Sequence, residues 1–179
     1  KYYKNYIEIE DFGDFSILKK LKKIKSKQLI LFKKIIYLLN KIQKIKKKQT
    51  KNFLNKNYKI QKYSKYKILE EANLFIKWYV PEVAQKRNIK KLSKNLKIIF
   101  SKILSKLKNH KEVFVHRDFH VSNLMEYKKK IAVIDSQDAV YGNNAYDLAS
   151  LVDDVRYKTS KKLKEEIFNH FVKIKKVNL

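Results

Sequence analysis

The chain of 179 residues contains no cysteine, one proline and two glycines. The absence of cysteine excludes a disulfide framework, an iron–sulfur cluster and a cysteine-ligated zinc site. No stretch of about 18 consecutive apolar residues is present, so no membrane span is predicted. The chain begins with Lys1, without an initiator methionine or the apolar core of a signal peptide. Its length and these absences predict a single cytoplasmic domain, and the first residue suggests a fragment of a longer protein.

Acidic residues and arginine are also scarce. The chain has 17 acidic and 44 basic residues, only 3 of them arginine, and its formal net charge is +27. Such a charge is typical of proteins that bind nucleic acid or an anionic membrane. However, nucleic-acid readers favour arginine for bidentate contacts, and the wealth of Lys, Asn, Ile, Tyr and Phe is what AT-rich codons produce. We therefore predict no specific nucleic-acid partner and no membrane partner, and the sequence leaves the oligomeric state open.

Hydrophobic periodicity predicts a mainly helical chain that changes character in its last third. A short alternating strand at residues 6–11 is followed by a break at Gly13. Ser64 is a predicted N-cap, and the helix that it begins should end at Pro81. Residues 46–62 are polar and form a predicted loop. The other predicted helices cover residues 28–47, 90–108, 146–155 and 160–175, and the other predicted strands cover residues 112–116, 123–127 and 131–134.

Two carboxylates and an amide are spaced around the predicted hairpin in the last third. Asp118 precedes Asn123 by five residues, and Asp135 follows Asn123 by twelve residues, across the hairpin. Phosphoryl transfer needs one carboxylate that orients the attacking hydroxyl, and an amide and a second carboxylate that hold Mg²⁺. Asp and Asn are also ordinary turn residues. The three residues together, between strands, favour phosphoryl-transfer chemistry over a series of turns.

The segments HRDFHVSN, VIDSQDA and AYDLASLVDDVR together resemble the aminoglycoside phosphotransferase/choline kinase superfamily. Members of this superfamily have a protein-kinase-like fold and phosphorylate small molecules. Within it, the chain looks most similar to bacterial N-acetylmuramate/N-acetylglucosamine anomeric sugar kinases, which also have a helix ending like LFIKWY at residues 74–79. A protein kinase is a poorer match, because His120 stands where protein kinases carry Lys, and Ser-Gln rather than Phe-Gly follows Asp135.

The resemblance implies the α+β class, as the mostly helical C-terminal lobe of a protein-kinase-like fold with a short β hairpin at the active site. Residues 1–15 would be the interlobe hinge and the end of an N-lobe strand, and residues 16–179 the helical lobe. Within that lobe lie the catalytic loop 115–123 and the metal segment 134–139. An N-terminal lobe is not expected in this chain, since its two glycines cannot form a Gly-rich phosphate loop.

The implied activity is transfer of the γ-phosphoryl group of ATP, with Mg²⁺, to a hydroxyl of a small molecule, and an amino sugar of cell-wall recycling is the favoured acceptor. An aminoglycoside or choline-type kinase is the alternative within this class. The alternative of another class is a catalytically silent fragment or a basic nucleic-acid-binding module. A chain without the N-lobe could itself be inactive.

The resemblance also assigns roles to individual residues. Asp118 is the implied catalytic base, and Asn123 and Asp135 are the implied Mg²⁺ ligands. The nucleotide would contact the hinge at Glu10, Asp11 and Phe12. Supports of the catalytic loop are His116, Arg117, His120 and Asp147, and possible substrate contacts are Trp78, Asp153, Asp154 and Arg156.

Other interpretations of these residues remain open at the level of sequence. Trp78 is more often a half-buried core residue than a residue that stacks on a sugar ring. Asp153 and Asp154 could lie at a solvated helix end. A metal-binding pair of His116 and His120 is disfavoured, because a His pair four residues apart binds metal on a helix face. The resemblance departs at Ser136, where similar kinases usually carry an aromatic residue.

Overall fold

Helices and short antiparallel strands alternate along the chain in a computed structural model, which describes residues 6–24, 26–52, 54–107 and 111–177. The α+β class predicted from the sequence is confirmed. In chain order the elements are α1 (Ile17–Lys23), α2 (Gln28–Ile42), β1 (Gln49–Lys51), β2 (Asn57–Lys59), α3 (Lys65–Leu74), a π-helical turn (Phe75–Tyr79), α4 (Val80–Val83), a 3-10 turn (Lys86–Asn88), α5 (Ile89–Lys106), β3 (Glu112–Val115), β4 (Leu124–Tyr127), β5 (Lys130–Val133), β6 (Val140–Asn143), α6 (Tyr146–Val152) and α7 (Lys161–Val177).

The chain divides into two compact units, one of Lys1–Gln61 with Glu112–Leu179 and one of Lys62–Lys111. We call the first the catalytic unit and the second the helical unit. The catalytic unit contains α1, α2, all six strands, α6 and α7. The helical unit contains α3, α4, α5 and the two irregular turns between them.

The core of the catalytic unit forms around the apolar stripe of α2, as its helical periodicity predicts. The stripe packs against α6 and α7. Helix α2 ends at Ile42, earlier than predicted, because the N–H groups of Lys44 and Ile45 bond carbonyls only three residues back and tighten the last turn. The exposed lysines that follow offer no further apolar face. The buried core residues are Ile17, Leu21, Leu31, Phe32, Ile35, Ile36, Leu39, Phe119, Val121, Leu124, Leu148, Leu151, Leu163, Ile167 and Phe171.

Within the described residues, six strands pair as three antiparallel two-stranded sheets. The predicted hairpin is present as β4 and β5, and its turn residues Lys128 and Lys129 both have positive φ, as a tight two-residue turn requires. Strand β6, which the sequence did not predict, pairs with β3, and Gly142 stands opposite Val113. The β3–β6 pair brings the start of the catalytic loop beside the segment that leads into α6.

Two local predictions near the N-terminal half are wrong. Residues 46–62 are not only a loop, since β1 and β2 form an exposed hairpin there. Residues 6–11 form no extended strand; Ile7 is a single bridge position, and both Ile7 and Ile9 are exposed. A strand needs several consecutive backbone pairs with a neighbouring strand, and a single bridge position does not form one. Helix α1, which the sequence analysis missed, is capped by Ser16, whose Oγ accepts the N–H of Lys19 over 3.3 Å.

The helical unit begins as predicted and then departs from the prediction. Ser64 caps α3, with its Oγ accepting the N–H of Lys67 over 3.2 Å. The helical path does not end at Pro81. It passes through the π-helical turn, in which the N–H of Val80 bonds the carbonyl of Phe75, and Pro81 falls in the first turn of α4. Proline is tolerated in a first turn, because its missing N–H would have no helical partner there.

Helix α5 agrees with its predicted range to within two residues. It spans Ile89–Lys106 and has a single fully buried side chain, Leu104. Its other apolar side chains, among them Leu92, Ile99 and Ile103, are partly exposed. Within the described ranges, no helix is both long and apolar enough to cross a membrane.

Candidate active site

The catalytic loop starts where β3 ends, and its first two backbone N–H groups are fixed by one side chain from α6. Asp147 Oδ2 accepts the N–H of His116 over 2.8 Å, and Oδ1 accepts the N–H of Arg117 over 3.0 Å. Arg117 has a φ of 75°, in the left-handed region that non-glycine residues seldom adopt. The bidentate carboxylate therefore holds the loop in a backbone conformation that it would not adopt alone.

Asp147 is fully buried, which changes its acid–base behaviour. Burial raises the pKa of Asp147 to about 6, because the ionised carboxylate loses its hydration. The two backbone N–H donors oppose this rise in pKa, and the negative charge of Asp118 adds to it. At neutral pH Asp147 is ionised and accepts both loop N–H groups. This is the arrangement expected if Asp147 supports the catalytic loop, as the resemblance implies.

Asn123 closes the other end of the catalytic loop. Its side-chain Nδ2 donates to the backbone carbonyl of Asp118 over 3.1 Å. Its backbone N–H donates to the carbonyl of His120 over 2.9 Å, and its own carbonyl accepts the N–H of Ile134 over 3.0 Å. One residue thus joins the loop that carries Asp118 to the strand that leads to Asp135.

Asp135 lies two residues after the end of β5, opposite Asn123. Nδ2 of Asn123 is 3.4 Å from Oδ2 of Asp135, so the hairpin brings together the three residues whose spacing suggested a site. Asp135 has a φ of 69°, a second left-handed non-glycine residue in this region. Gln137 donates its side-chain Nε2 to Oδ1 of Asp135 over 2.8 Å. The sequence analysis did not single out Gln137, although it follows Asp135 by two residues in the quoted VIDSQDA segment.

The donor set around Asn123 and Asp135 fits Mg²⁺. Carboxylate and amide oxygens are its preferred protein ligands, and Mg²⁺ usually takes only one or two carboxylates together with waters and substrate phosphates. Because Nδ2 of Asn123 bonds the carbonyl of Asp118, the amide oxygen Oδ1 faces away from that bond. Among the residues that the structure describes, no group of three or more His, Asp or Glu side chains could hold a metal ion. Phosphate oxygens would therefore have to complete the coordination.

His116 and Phe119 form the buried floor of the loop. His116 is 2% exposed, and its ring packs edge-on against Phe119 with 6.1 Å between centroids. Burial lowers the pKa of His116, against the opposing effect of the Asp118 carboxylate, so the imidazole is neutral at pH 7. His120 and Arg117 are half-buried in the same loop. These positions agree with support of the loop, and no helix places the two histidines on one face.

The implied hinge residues lie beside β4, the strand that follows Asn123. Phe12 packs edge-on against Tyr127, with ring centroids 5.0 Å apart. Glu10 lies 3.8 Å from the ammonium group of Lys128, and Oδ1 of Asp11 accepts the N–H of Gly13 over 2.7 Å. The segment therefore runs next to the hairpin that carries Asp135.

The possible substrate residues fall into two groups. Trp78 belongs to the helical unit and is 66% exposed, with the ammonium group of Lys77 5.0 Å from its ring centroid. The interpretation of Trp78 as a half-buried core residue is therefore wrong, because its ring meets solvent rather than the interior.

The second group lies after α6, beside an open cavity of about 350 Å³. Asp153 is exposed and pairs with Lys164. The side chain of Asp154 is buried, and its Oδ1 accepts the backbone N–H of Arg156 over 2.9 Å and the guanidinium Nη1 of Arg156 over 3.2 Å. These bonds close the turn after α6, so Asp154 is not at a solvated helix end. The buried carboxyl of Asp154 and its partner Arg156 are therefore better placed to stabilise this turn than to contact a substrate.

The profile of the phosphotransferase enzyme family matches residues 49–171. The chain belongs to this family. The match includes the catalytic loop, the hairpin with Asp135, and Asp147, so the motifs that suggested the superfamily lie within it. The predicted superfamily is confirmed, and the chain is a phosphotransferase-family protein.

Two curated relatives resemble part of the chain. The N-acetylmuramate/N-acetylglucosamine kinase of Neisseria meningitidis serogroup B is 38% identical over 84 residues, which are 47% of this chain and 25% of the relative. The kinase of the same name from Pseudomonas putida is 35% identical over 91 residues, again 47% of this chain and 25% of the relative. The chain thus matches only 25% of the length of each of these kinases.

Solved structures share the fold of nearly the whole chain. The gentamicin–APH(2")-IIa complex is 17% identical with a TM-score of 0.58, covering 93% of this chain and 54% of that protein. The ADP-bound aminoglycoside phosphotransferase APH(2")-Ib is 18% identical, with the same TM-score and coverage. A choline/ethanolamine kinase family protein from Mesorhizobium loti is 9% identical with a TM-score of 0.57, covering 89% of this chain and 47% of that protein. The predicted kinase-like lobe is confirmed.

Proposed function

We propose that this chain provides the catalytic lobe of an ATP-dependent kinase that phosphorylates a hydroxyl group of an amino sugar. One observation supports the proposal most directly. The side-chain amide of Asn123 contacts both the backbone of Asp118 and the carboxylate of Asp135, over 3.1 and 3.4 Å. The proposed base and the two proposed metal ligands are thereby held in one small region.

Asp118 is the proposed catalytic base. It lies half-buried in a loop whose ends are held by Asp147 and Asn123. Since the transition state of phosphoryl transfer is loose, the carboxylate of Asp118 mainly orients the acceptor hydroxyl and takes its proton as the new bond forms.

Asn123 Oδ1 and the carboxylate of Asp135 are the groups that would hold Mg²⁺. When bound, Mg²⁺ would neutralise and orient the phosphate oxygens of the nucleotide. The protein contributes the geometry through the hydrogen bonds of Asn123 and the left-handed backbone of Asp135. Glu10, Asp11 and Phe12 are the proposed nucleotide contacts, a proposal that rests on their place beside β4. The ADP in one structural neighbour supports the use of a nucleotide.

The amino-sugar acceptor is supported by the names of the two curated kinases, within the part of each that the chain matches. The aminoglycoside and choline kinases share the fold only, so they define the alternative acceptors. Trp78 stays a proposed acceptor contact, and its exposed indole is available to the apolar face of a sugar ring. Since ATP is the proposed donor, we place the reaction in the cytoplasm.

The direct test is phosphoryl transfer by the protein as its gene encodes it. Radiolabelled ATP and Mg²⁺ are supplied with N-acetylmuramic acid, N-acetylglucosamine, choline or an aminoglycoside. We expect phosphorylation of an amino sugar. We also expect Asp135→Ala to abolish it, because Mg²⁺ would lose its only charged protein ligand among the proposed pair. Glu165→Ala, which removes an exposed carboxylate from α7, is the matched control and should keep parental turnover.

The outcomes separate the alternatives. Transfer to choline or an aminoglycoside alone would keep the kinase and replace the acceptor. If the protein neither transfers phosphate nor binds a nucleotide, the result would favour the alternative of a catalytically silent fragment. Parental turnover in Asp135→Ala would remove Asp135 from the site.

A further inference from the structure

Gln137 contacts the proposed metal ligand Asp135. Its Nε2 donates to Oδ1 of Asp135 over 2.8 Å. The other carboxylate oxygen, Oδ2, is 3.4 Å from Nδ2 of Asn123. Hydrogen bonds between N–H and O have lengths near 2.9 Å and weaken when longer. The two oxygens of this carboxylate therefore differ, with a strong bond at Oδ1 and a weak contact at Oδ2.

Hydrogen bonds are the main restraint on this carboxylate. Asp135 and Gln137 are both exposed, so burial contributes little to the orientation of either side chain. The backbone of Asp135, at a φ of 69°, points the side chain away from the path of a regular strand. An exposed carboxylate without a partner would sample several rotamers. The 2.8 Å bond from Gln137 selects one of them.

The turn itself does not depend on the side chain of Gln137. The N–H of Ala139 bonds the carbonyl of Ser136 over 3.2 Å, and this bond closes the turn with backbone atoms alone. Removal of the Gln137 amide should therefore leave the chain path unchanged. Its effect should be confined to the carboxylate of Asp135.

We propose that Gln137 is a positioning residue for the Mg²⁺ site, holding Oδ1 of Asp135 so that Oδ2 is the oxygen that binds the cation. This inference rests on the proposed function. The weak contact at Oδ2 is the one that a cation can displace. Asn123 keeps its bond to the Asp118 carbonyl when that contact is lost, so its own Oδ1 stays directed for use as the second ligand.

The test replaces Gln137 by methionine, which keeps the length of the side chain and removes the N–H donor. Mn²⁺ replaces Mg²⁺ as the probe, because it also prefers oxygen ligands and is detected by electron paramagnetic resonance. The protein as its gene encodes it is titrated with Mn²⁺ in saturating ADP, and the signal of free Mn²⁺ gives the Kd. Loss of a hydrogen bond to a metal ligand typically costs about 10- to 100-fold in metal affinity. We expect Gln137→Met to raise the Kd for Mn²⁺ by about tenfold.

Two further measurements exclude a general structural effect. The affinity for a fluorescent ADP analogue in EDTA and the thermal unfolding midpoint should both match the parent. Gln49→Met is the matched control, because Gln49 is an exposed glutamine on β1, and it should leave the Kd for Mn²⁺ unchanged. Asp135→Asn should raise the Kd at least as much as Gln137→Met does.

The outcomes distinguish this inference from the proposed function. If Gln137→Met binds Mn²⁺ like the parent while Asp135→Asn does not, the inference is overturned and the proposed function stands. If Gln137→Met also lowers the thermal unfolding midpoint, or weakens ADP-analogue binding in EDTA as much as it weakens Mn²⁺ binding, the role of Gln137 is structural. The inference is then again overturned. If the parent binds ADP without any dependence on Mn²⁺, the proposed metal site fails and the inference fails with it.

Discussion

The catalytic segment, residues 112–152, and the helical unit, residues 62–111, both have amphipathic sequences but bury different shares of their apolar residues. In the catalytic segment, Val115, Phe119 and Leu124 are each 0% exposed. In helix α5 of the helical unit, Ile99 and Ile103 are 48% and 54% exposed although they lie in helical register. Periodicity therefore identifies residues that share a face, and the presence of a covering element determines whether that face is buried.

The two regions also differ in how polar side chains are used. In the catalytic segment, the side chains of Asp147 and Asn123 bond backbone groups that are distant in sequence or lie across a turn. In the helical unit, bonds such as that from Lys67 to Ser64 join residues within one helical turn. Distant bonds hold a chain in conformations that its local sequence disfavours, as at Arg117 and Asp135. A change in the catalytic segment should therefore affect activity more than a similar change in the helical unit.

The largest expected difference between the regions comes from Asp118→Asn. Asparagine keeps the size of the side chain and a hydrogen bond but cannot take the proton of the acceptor. We expect a loss of about 10²- to 10⁴-fold in kcat. Nucleotide affinity should change little, since Asn123 and Asp135 are the proposed metal ligands. Steady-state phosphorylation measures both, with Glu82→Gln in the helical unit as control. Parental turnover in Asp118→Asn would contradict the proposed role.

The effect of burial on stability can be compared between the catalytic unit and the helical unit by truncating one isoleucine in each. Ile35 on α2 is 0% exposed, and Ile103 on α5 is 54% exposed. We expect Ile35→Ala to lower the free energy of unfolding by about 2–5 kcal/mol, because it leaves a cavity in the core. Ile103→Ala should lower it by less than about 1 kcal/mol. Urea unfolding of both variants measures the difference. Equal losses would show that the stripe on α5 is covered in solution.

The buried carboxylate of Asp147 should make the catalytic unit sensitive to pH. Its pKa is raised to about 6 in the folded protein from 3.8, so the folded state binds this proton more tightly than the unfolded state. The resulting stabilisation is present below about pH 4 and is lost as the pH rises through about 6. Two pKa units correspond to about 3 kcal/mol.

Asp147→Asn removes this titration and keeps the shape of the side chain. Unfolding of the parent and the variant by urea between pH 4 and pH 7 gives the contribution of Asp147 as a difference. We expect the parent to lose about 3 kcal/mol relative to the variant over this range. A difference that stays constant with pH would mean that the pKa of Asp147 is ordinary.

The smallest expected effect on stability comes from Trp78→Ala. The ring is 66% exposed, so we expect a change of less than about 1 kcal/mol in the free energy of unfolding. If Trp78 contacts the acceptor as proposed, the same variant should raise the acceptor KM by roughly threefold to tenfold, which corresponds to a stacking energy of about 0.5–1.5 kcal/mol. The KM for ATP serves as the internal control. An unchanged acceptor KM would remove Trp78 from the proposed site.

Prediction from the sequence succeeded where the signal was local or where the motifs combined. The cap of α3, the periodicity of α3 and α5, and the hairpin of β4 and β5 follow from residues close in the chain. The prediction was wrong at residues 6–11, where alternation is present but only Ile7 is a bridge position. It was also wrong at Pro81, since a π-helical turn displaces the helical register before the proline.

The sequence by itself was sufficient for the family, because side-chain types at fixed spacing carry that information, and the roles of Asp118, Asn123 and Asp135 remain predictions from the same spacing. It could not show that Asp147 is fully buried, that Gln137 bonds Asp135, or that the indole of Trp78 is exposed. Each of these facts depends on which distant or neighbouring groups surround a side chain after folding. Desolvation, and with it the raised pKa of Asp147, arises only when α6 packs against the catalytic loop.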